Sequence, residues 1–239
     1  MIGNTNNMAK NKTNWELTKL LIKNTGRILQ YGPPGTGKSY VAIHEPHAGG
    51  ANGIHNVTIT DEMPAAELRG HYVPKGGDFI WQDGPALKAW RNGDRLVVNE
   101  IDKASGDTLS FFLSLLDDGP SAMMTLPTGE TVYPHKDFQC IGTMNGVPAD
   151  LPPALQDRFP VAIEVTEPNP NAIEALPSDL QNAARGSCVN PDPALRISLR
   201  SWFAYSALRS RIGHTSAAEA CFGARAKDVL ASLTIAAAA

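Results

Sequence analysis

Cysteine is scarce in this chain. Its three cysteines, Cys140, Cys188 and Cys221, stand far apart and form no C-x-x-C pair. That argues for reduced thiols in a cytoplasmic type of compartment and against a cysteine-built metal framework. Cys140 lies in an apolar run and reads as core. Long apolar stretches are missing as well: no window approaches the ~18 uninterrupted apolar residues of a membrane span. The opening "MIGNTNNMAKNKTN" has no apolar centre of the kind a secretory leader carries. A basic excess is also absent. The net charge of −3 argues against a general polyanion binder, while leaving room for a local basic pore or patch.

What is present is ordinary for a soluble protein, with 42% hydrophobic and 19% charged residues. The length of 239 residues suits one large domain, or a medium domain with a small companion. Residues 1–13 are Asn-rich and polar and read as a flexible N-terminus. "NWELTKLLIKN" predicts an amphipathic helix with Trp15, Leu17, Leu20 and Leu21 as its apolar set. "RILQY", "HNVTIT", "RLVVNEI", "FQCIGTMN" and "VAIEV" read as strands. Between them fall helical pieces. "SGDTLSFFLSLLDDG" places Leu109, Phe112, Leu113 and Leu116 at i, i+3, i+4 and i+7, and "PPALQDRF" opens with prolines suited to a helix start. "DFIW" reads as one arm of a hairpin, and "AMMTLPTGETVYP" as a hairpin turning at Pro127-Thr128-Gly129. Alternating strands and helices predict an α/β fold with a mostly parallel central sheet. After "TEPNPN" strand signals vanish. Two helices are expected there, the second opened by a Ser216-x-x-Glu219 capping box. The predicted organisation is a nucleotide-binding α/β domain over 14–168 and a helical lid over 169–239.

"GPPGTGKS" carries the chemistry. Gly32, Pro33, Pro34, Gly35, Thr36, Gly37, Lys38 and Ser39 fit G-x-x-x-x-G-K-[ST], and Tyr40 follows. Glycines let the backbone curl so that successive N–H groups face phosphate oxygens. The loop feeds a helix N-terminus, whose dipole also favours anions. Lys38 is placed to neutralise the β and γ phosphates, and the Ser39 hydroxyl to ligate Mg²⁺. The match lies after a strand and before a helix, the context the motif requires. A nucleoside triphosphate and Mg²⁺ are the ligands this predicts; ATP is the expected nucleotide.

"LVVNEIDKA" follows downstream as a strand ending in an acidic dyad with one member missing. Glu100 is placed to polarise an attacking water. Asn99 stands where P-loop enzymes carry a metal-holding carboxylate; it keeps an oxygen acceptor and lacks the charge. Loss of such a partner typically costs about 10–100-fold in metal affinity or activity. On this reading Asn99, with Ser39, remains a metal-site residue, and Asn99→Asp is expected to raise turnover.

"GPPGTGKS", "ELRGHYV", "GPALKAWRNGDRLVVNEIDKAS", "GTMN" and "LPPALQDRF", in this order over roughly residues 20–215, resemble a AAA+ ATPase of the MoxR type. That branch includes CbbQ, NorQ and GvpN-like proteins, the AAA+ subunits of metal chelatases and the midasin modules. The resemblance implies a P-loop NTPase fold and roles by position. Asn145 corresponds to the sensor 1 residue that orients the lytic water. Arg158 corresponds to the arginine finger offered to a neighbouring subunit, and Arg200 to the sensor 2 arginine of the lid, with Arg196 as a rival. "ELRGHYVPKGGDFIW" and "MMTLPTGETVYP" correspond to the two insertions that face a pore or partner. Asn99 departs from the family, where Asp is usual. A homo-oligomeric ring, most often a hexamer, and a protein client follow, with a von Willebrand factor A domain protein as one partner acting in trans.

Three readings follow: an ATP-driven machine that remodels, assembles or activates a partner complex; a nucleotide-gated assembly switch with little turnover, motivated by Asn99; and a nucleic-acid-stimulated motor, disfavoured by the charge balance. Nothing in the residues selects adenine over guanine. A small-molecule kinase has no use for the Asn145 and Arg158 pattern. "HEPH", with His44, Glu45 and His47, is declined as a metal site because Pro46 spoils helical spacing. Trp202, Phe203 and Tyr205 read as lid core, and Asp117-Asp118 as a solvated helix end.

Overall fold

The computed structural model describes residues 14–47, 53–190 and 192–238. They divide into two compact units. One holds the residues up to Gly32 and Lys38–Glu164; the other holds Val165 onward together with Pro33–Gly37. The polar N-terminal segment 1–13 lies outside the described residues.

The first unit runs α1 (Asn14–Asn24), β1 (Arg27–Tyr31), α2 (Lys38–His44), β2 (Ile54–Thr58), α3 (Ala65–Arg69), β3 (Gly70–Lys75), β4 (Asp78–Asp83) and α4 (Pro85–Asn92). It continues with β5 (Arg95–Asn99), α5 (Gly106–Leu115), β6 (Met124–Thr125), β7 (Thr131–Val132), β8 (Gln139–Thr143), α6 (Pro153–Asp157) and β9 (Val161–Glu164). Five strands form one sheet in the order β2-β5-β8-β1-β9, and every pairing in it is parallel. The α/β architecture with a parallel sheet is the one the strand and helix alternation predicts.

The sheet is apolar on both faces because helices cover both. Leu29, Leu96, Val98 and Cys140 join Leu68, Leu87, Trp90 and Phe112 in one cluster. By the pleat, Ile28, Val97 and Ile141 face the other way, and all three are fully buried. That opposite face also holds a polar knot. Arg95, 2% exposed, donates from Nε to Gln139 Oε1 at 2.6 Å, and from Nη1 to the carbonyls of Ala42 at 2.9 Å and Glu45 at 2.5 Å. Gln139 Nε2 in turn donates to the carbonyls of Ile22 and Thr25, both at 2.7 Å. Burial pulls the Arg95 guanidinium below its ordinary pKa. The knot joins the ends of α1 and α2 to β5 and β8.

Two antiparallel hairpins leave the sheet. β3 pairs with β4 and β6 with β7. The first turns at Gly76-Gly77, both at positive φ, and "DFIW" lies in its second arm as expected. The second is closed by Leu126 N–H donating to the Glu130 carbonyl at 2.8 Å. Arg91 on α4 pairs with Asp83 at 2.9 Å and with Glu130 at 2.6 Å, so one side chain joins both hairpins.

Within the second unit follow α7 (Pro170–Glu174), α8 (Ser178–Cys188), α9 (Leu199–Ile212), α10 (His214–Phe222) and α11 (Ala226–Ala238). Leu180, Trp202, Tyr205, Ala218 and Phe222 lie in one buried cluster. Trp202 Nε1 donates to Ser187 Oγ at 2.8 Å, and the Tyr205 hydroxyl meets His214 Nδ1 at 3.1 Å.

Several local expectations are corrected. α1 buries Trp15, Thr18 and Ile22, whereas Leu17 and Leu20 are 41% and 43% exposed, because positions 15, 18 and 22 share a helical stripe. Phe203 is 39% exposed, unlike its buried neighbours Trp202 and Tyr205. The single helix expected over "SAAEACFGARAKDVLASL" is two. Gly223, at φ 57, breaks it, and α10 starts at His214 with no side-chain cap, so Ser216 forms no capping box. Asp118 is exposed at the end of α5 as expected, yet both carboxylates also have partners: Asp118 takes Arg27 at 3.0 Å and Asp117 takes Arg158 at 3.4 Å.

Candidate functional site

In a parallel sheet every strand ends on the same edge, and ligands gather outside the carboxyl ends. Here β1, β8 and β5 are adjacent, so the start of α2, the residues after β8 and the end of β5 converge. That convergence brings Lys38, Ser39, Asn99 and Asn145 together from four separate stretches of sequence.

Gly32, Gly35 and Gly37 adopt φ of 123°, 76° and 105°, values that L side chains rarely adopt. α2 begins at Lys38, directly at the loop's end. Lys38 is buried, 6% exposed. It donates to the Gly32 carbonyl at 2.8 Å and approaches Asn145 Oδ1 at 3.4 Å, so it reaches back toward the end of β1. Tyr40 is 56% exposed and stacks on His44 with ring centroids 4.1 Å apart.

Within the second unit, the loop residues Pro33–Gly37 lie against Asn169 and Ser198. The Asn169 N–H donates to the Thr36 carbonyl at 2.9 Å. A Cβ added at Gly35 would fall 2.5 Å from Ser198 Cβ, so only glycine fits there. Asn169 is 3% exposed and its Oδ1 accepts from the Asn171 N–H at 3.0 Å, capping α7. Sequence reasoning passed over Asn169; the signal was an Asn followed by Pro at a helix start.

Ser39 Oγ donates to Asn99 Oδ1 at 2.5 Å, and Thr143 Oγ1 donates to the same oxygen at 3.1 Å. With its proton given to Asn99, the Ser39 hydroxyl keeps lone pairs for a cation. Ser39 Oγ and Thr143 Oγ1 are hard oxygen donors, the type Mg²⁺ takes, and Asn99 Oδ1, which accepts from both, orients them. The site's own donors carry no negative charge, so a resident cation would rely on phosphate oxygens for neutralisation. Thr143 was not singled out from sequence, because a strand threonine reads as β-propensity.

Glu100 follows Asn99 at φ 55 and ψ 44, and it is the one non-glycine residue with positive φ among the described residues. Such backbone costs about 1–3 kcal/mol and gathers at functional positions. The Glu100 carboxylate pairs with Lys103 Nζ at 2.5 Å, which pushes the Lys103 ammonium above its ordinary pKa.

Arg158 caps the end of α6. Its Nε reaches the Leu113 carbonyl at 3.3 Å, and its guanidinium pairs with Asp117 and Asp157. It lies outside the group formed by Lys38, Ser39, Asn99 and Asn145. Arg200 stands exposed in the first turn of α9, while Arg196 Nε is occupied by the Asn190 carbonyl at 2.7 Å. Among the described residues no group of three or more His, Cys, Asp or Glu is placed to hold a metal, and Glu45 pairs with Lys23. No helix of the described residues is long and apolar enough to cross a membrane.

Residues 27–159 match the AAA domain, dynein-related subfamily. Protein NorQ of Paracoccus denitrificans is 31% identical over 150 residues, covering 60% of this chain and 53% of that protein. The denitrification regulatory protein NirQ of Stutzerimonas stutzeri is 28% identical over 55% of this chain and 49% of its own length. Midasin of Dictyostelium discoideum is 30% identical over 55% of this chain but only 2% of midasin. The matched region thus spans about half of NorQ and NirQ. Among solved structures, NtrX from Brucella abortus superposes with a TM-score of 0.54 at 18% identity, over 92% of this chain and 67% of that one. At that identity the likeness is one of fold.

Proposed function

Because the chain belongs to the AAA domain family, dynein-related subfamily, we propose that it binds and hydrolyses ATP in an oligomeric ring and uses the cycle to remodel, assemble or activate a partner complex. In this reading residues 14–168 are the nucleotide-binding domain and 169–239 the lid. The observation that carries it is the meeting of Lys38 with Asn145 and of Ser39 with Asn99 at one sheet edge. ATP is also the ligand of one NtrX structure with this fold, and the NirQ relative is named for regulation.

The roles follow from charge. The curled main chain of Gly32–Gly37 presents N–H groups to phosphate oxygens. Lys38 neutralises the terminal phosphates, and Asn145 orients both Lys38 and the attacking water. Glu100 takes the water's proton once it leaves Lys103. Mg²⁺, when bound through Ser39 and Asn99, would offset charge on the phosphate oxygens. Arg158 of one protomer completes the neighbour's site, and such an arginine is worth roughly 10³–10⁵ in rate. Arg200 contributes a second cation from the lid. A ring, hexameric as in the MoxR branch, is needed because the finger acts in trans. The client is a protein, with a von Willebrand factor A domain protein as one type, and the setting is cytoplasmic.

A nucleotide-gated switch with slow turnover is the second reading, favoured by Asn99 and by the Glu100–Lys103 pair. Phosphate release at saturating ATP and Mg²⁺, with mass photometry on the same sample, tests both. The motor reading expects assembled particles and a rate well above Lys38→Ala. Assembled particles with a rate equal to that control leave only the switch. Particles that stay monomeric in ATP discard both.

A further inference from the structure

Asn99 breaks the family pattern, and its surroundings are not those of a carboxylate. Both ends of its amide are used. Oδ1 accepts from Ser39 Oγ and Thr143 Oγ1. Nδ2 donates to the Val57 main-chain carbonyl at 3.0 Å and to Asn56 Oδ1 at 2.7 Å. A main-chain carbonyl can only accept, so the group facing it must be a donor, and this fixes which way the amide points. One side chain thus joins β2, β5, β8 and α2 at the edge where the site lies.

A carboxylate at position 99 offers acceptors only. One oxygen would keep Ser39 and Thr143. The other would meet the Val57 carbonyl with no proton between them. The site is therefore shaped for an amide, and adding the usual charge disturbs it.

Asn56 is the second half of that arrangement. The β2–β5 register sets Asn56 beside Val97 and Thr58 beside Asn99, so Asn56 and Asn99 share one face of the sheet. Asn56 is exposed, and its Oδ1 accepts from Asn99 Nδ2 at the site. If the Asn99 amide turned over, its NH₂ would face Ser39. The Ser39 oxygen would then accept from it, and a lone pair would be lost to any cation.

We propose that Asn56 is a positioning residue: with the Val57 carbonyl it holds the Asn99 oxygen toward Ser39, and this orientation stands in for the charge of the usual aspartate. The inference rests on the nucleotide-binding reading above. It reverses the expectation from sequence that Asn99→Asp raises turnover.

Two measurements test it. In the first, binding of a fluorescent ATP analogue is titrated with Mg²⁺. Asn56→Leu, which removes the acceptor, is expected to raise the Mg²⁺ needed for half-saturation by about tenfold. Asn56→Asp, which keeps an acceptor oxygen, is expected to restore the wild-type value. In the second, thermal unfolding is followed without metal or nucleotide, and Asn99→Asp is expected to melt roughly 2–4 °C below wild type. An Asn56→Leu protein with unchanged Mg²⁺ dependence, or an Asn99→Asp protein as stable as wild type, overturns the proposal. If folded wild type binds no nucleotide at all, the function reading fails instead, and the metal-free comparison still judges the amide.

Discussion

Lys38 Nζ and Asn145 Oδ1 lie 3.4 Å apart, joining the first residue of α2 to the segment after β8. The contact aligns a cation with a polar group that can also hold a water. Asn145→Ala is expected to lower kcat by about 10² while nucleotide affinity changes by no more than about threefold. Lys38→Ala is expected to lose binding outright. Steady-state phosphate release and equilibrium titration separate the two. Equal losses in affinity and rate for Asn145→Ala would make it a ground-state binding residue instead.

Arg158 is held by Asp117, Asp157 and the Leu113 carbonyl, away from Lys38's group. On the proposed reading this arginine serves a neighbour. Arg158→Ala should bind nucleotide normally and hydrolyse it roughly 10³-fold more slowly. Mixing Arg158→Ala with Lys38→Ala protein should recover part of the activity, since mixed rings contain sites with an intact pocket from one and an intact arginine from the other. Absence of any recovery in rings shown to be mixed would remove the trans role.

Arg95 is buried with three of its partners being oxygens on other elements. Arg95→Met keeps the bulk and removes the donors. Gln139 and the carbonyls at the end of α2 would be left without them, a loss of about 2–4 kcal/mol. Urea unfolding followed by tryptophan fluorescence measures this; a change under about 0.5 kcal/mol would mean the network is solvent-like.

Asp179 and Arg209 pair through two hydrogen bonds between α8 and α9, one of them at 3.0 Å. The Arg209 hydrogen bond is the main reason the Asp179 carboxyl sits below its ordinary value of 3.8. A depressed folded-state pKa stabilises above the unfolded value and loses that contribution as the pH falls through the folded one. Asp179 is 56% exposed at its side chain, so screening limits the pair to about 0.2–1 kcal/mol. Asp179→Asn should therefore melt slightly below wild type at pH 7. The gap should close on acidification below the ordinary Asp range. A gap that widens in acid would contradict the assignment.

The phosphate loop was legible because its chemistry is local: glycine φ values, a helix start and a lysine at fixed spacing. The alternation of strands and helices likewise announced a parallel sheet, since strand and helix periodicities differ within a few residues. Thr143 and Asn56 were not legible. Each looks like an ordinary strand residue until β2, β5 and β8 are laid side by side. Arg95 was missed for the same reason, as a charged residue at a strand's start reads as solvated. The broken helix at Gly223 and the outward-facing Leu17 show the limit of periodicity, which names a helix without naming the face that packs.

By itself the sequence determined the kinds of elements, their order and the glycine-curled loop that leads into α2, because these depend on neighbours along the chain. Which side chains face Asn99, and hence whether an amide there is a defect or a fitted part, was decided only by the tertiary structure. Hydrogen-bond direction between strands depends on register and pleat, and those are set by packing across the whole sheet.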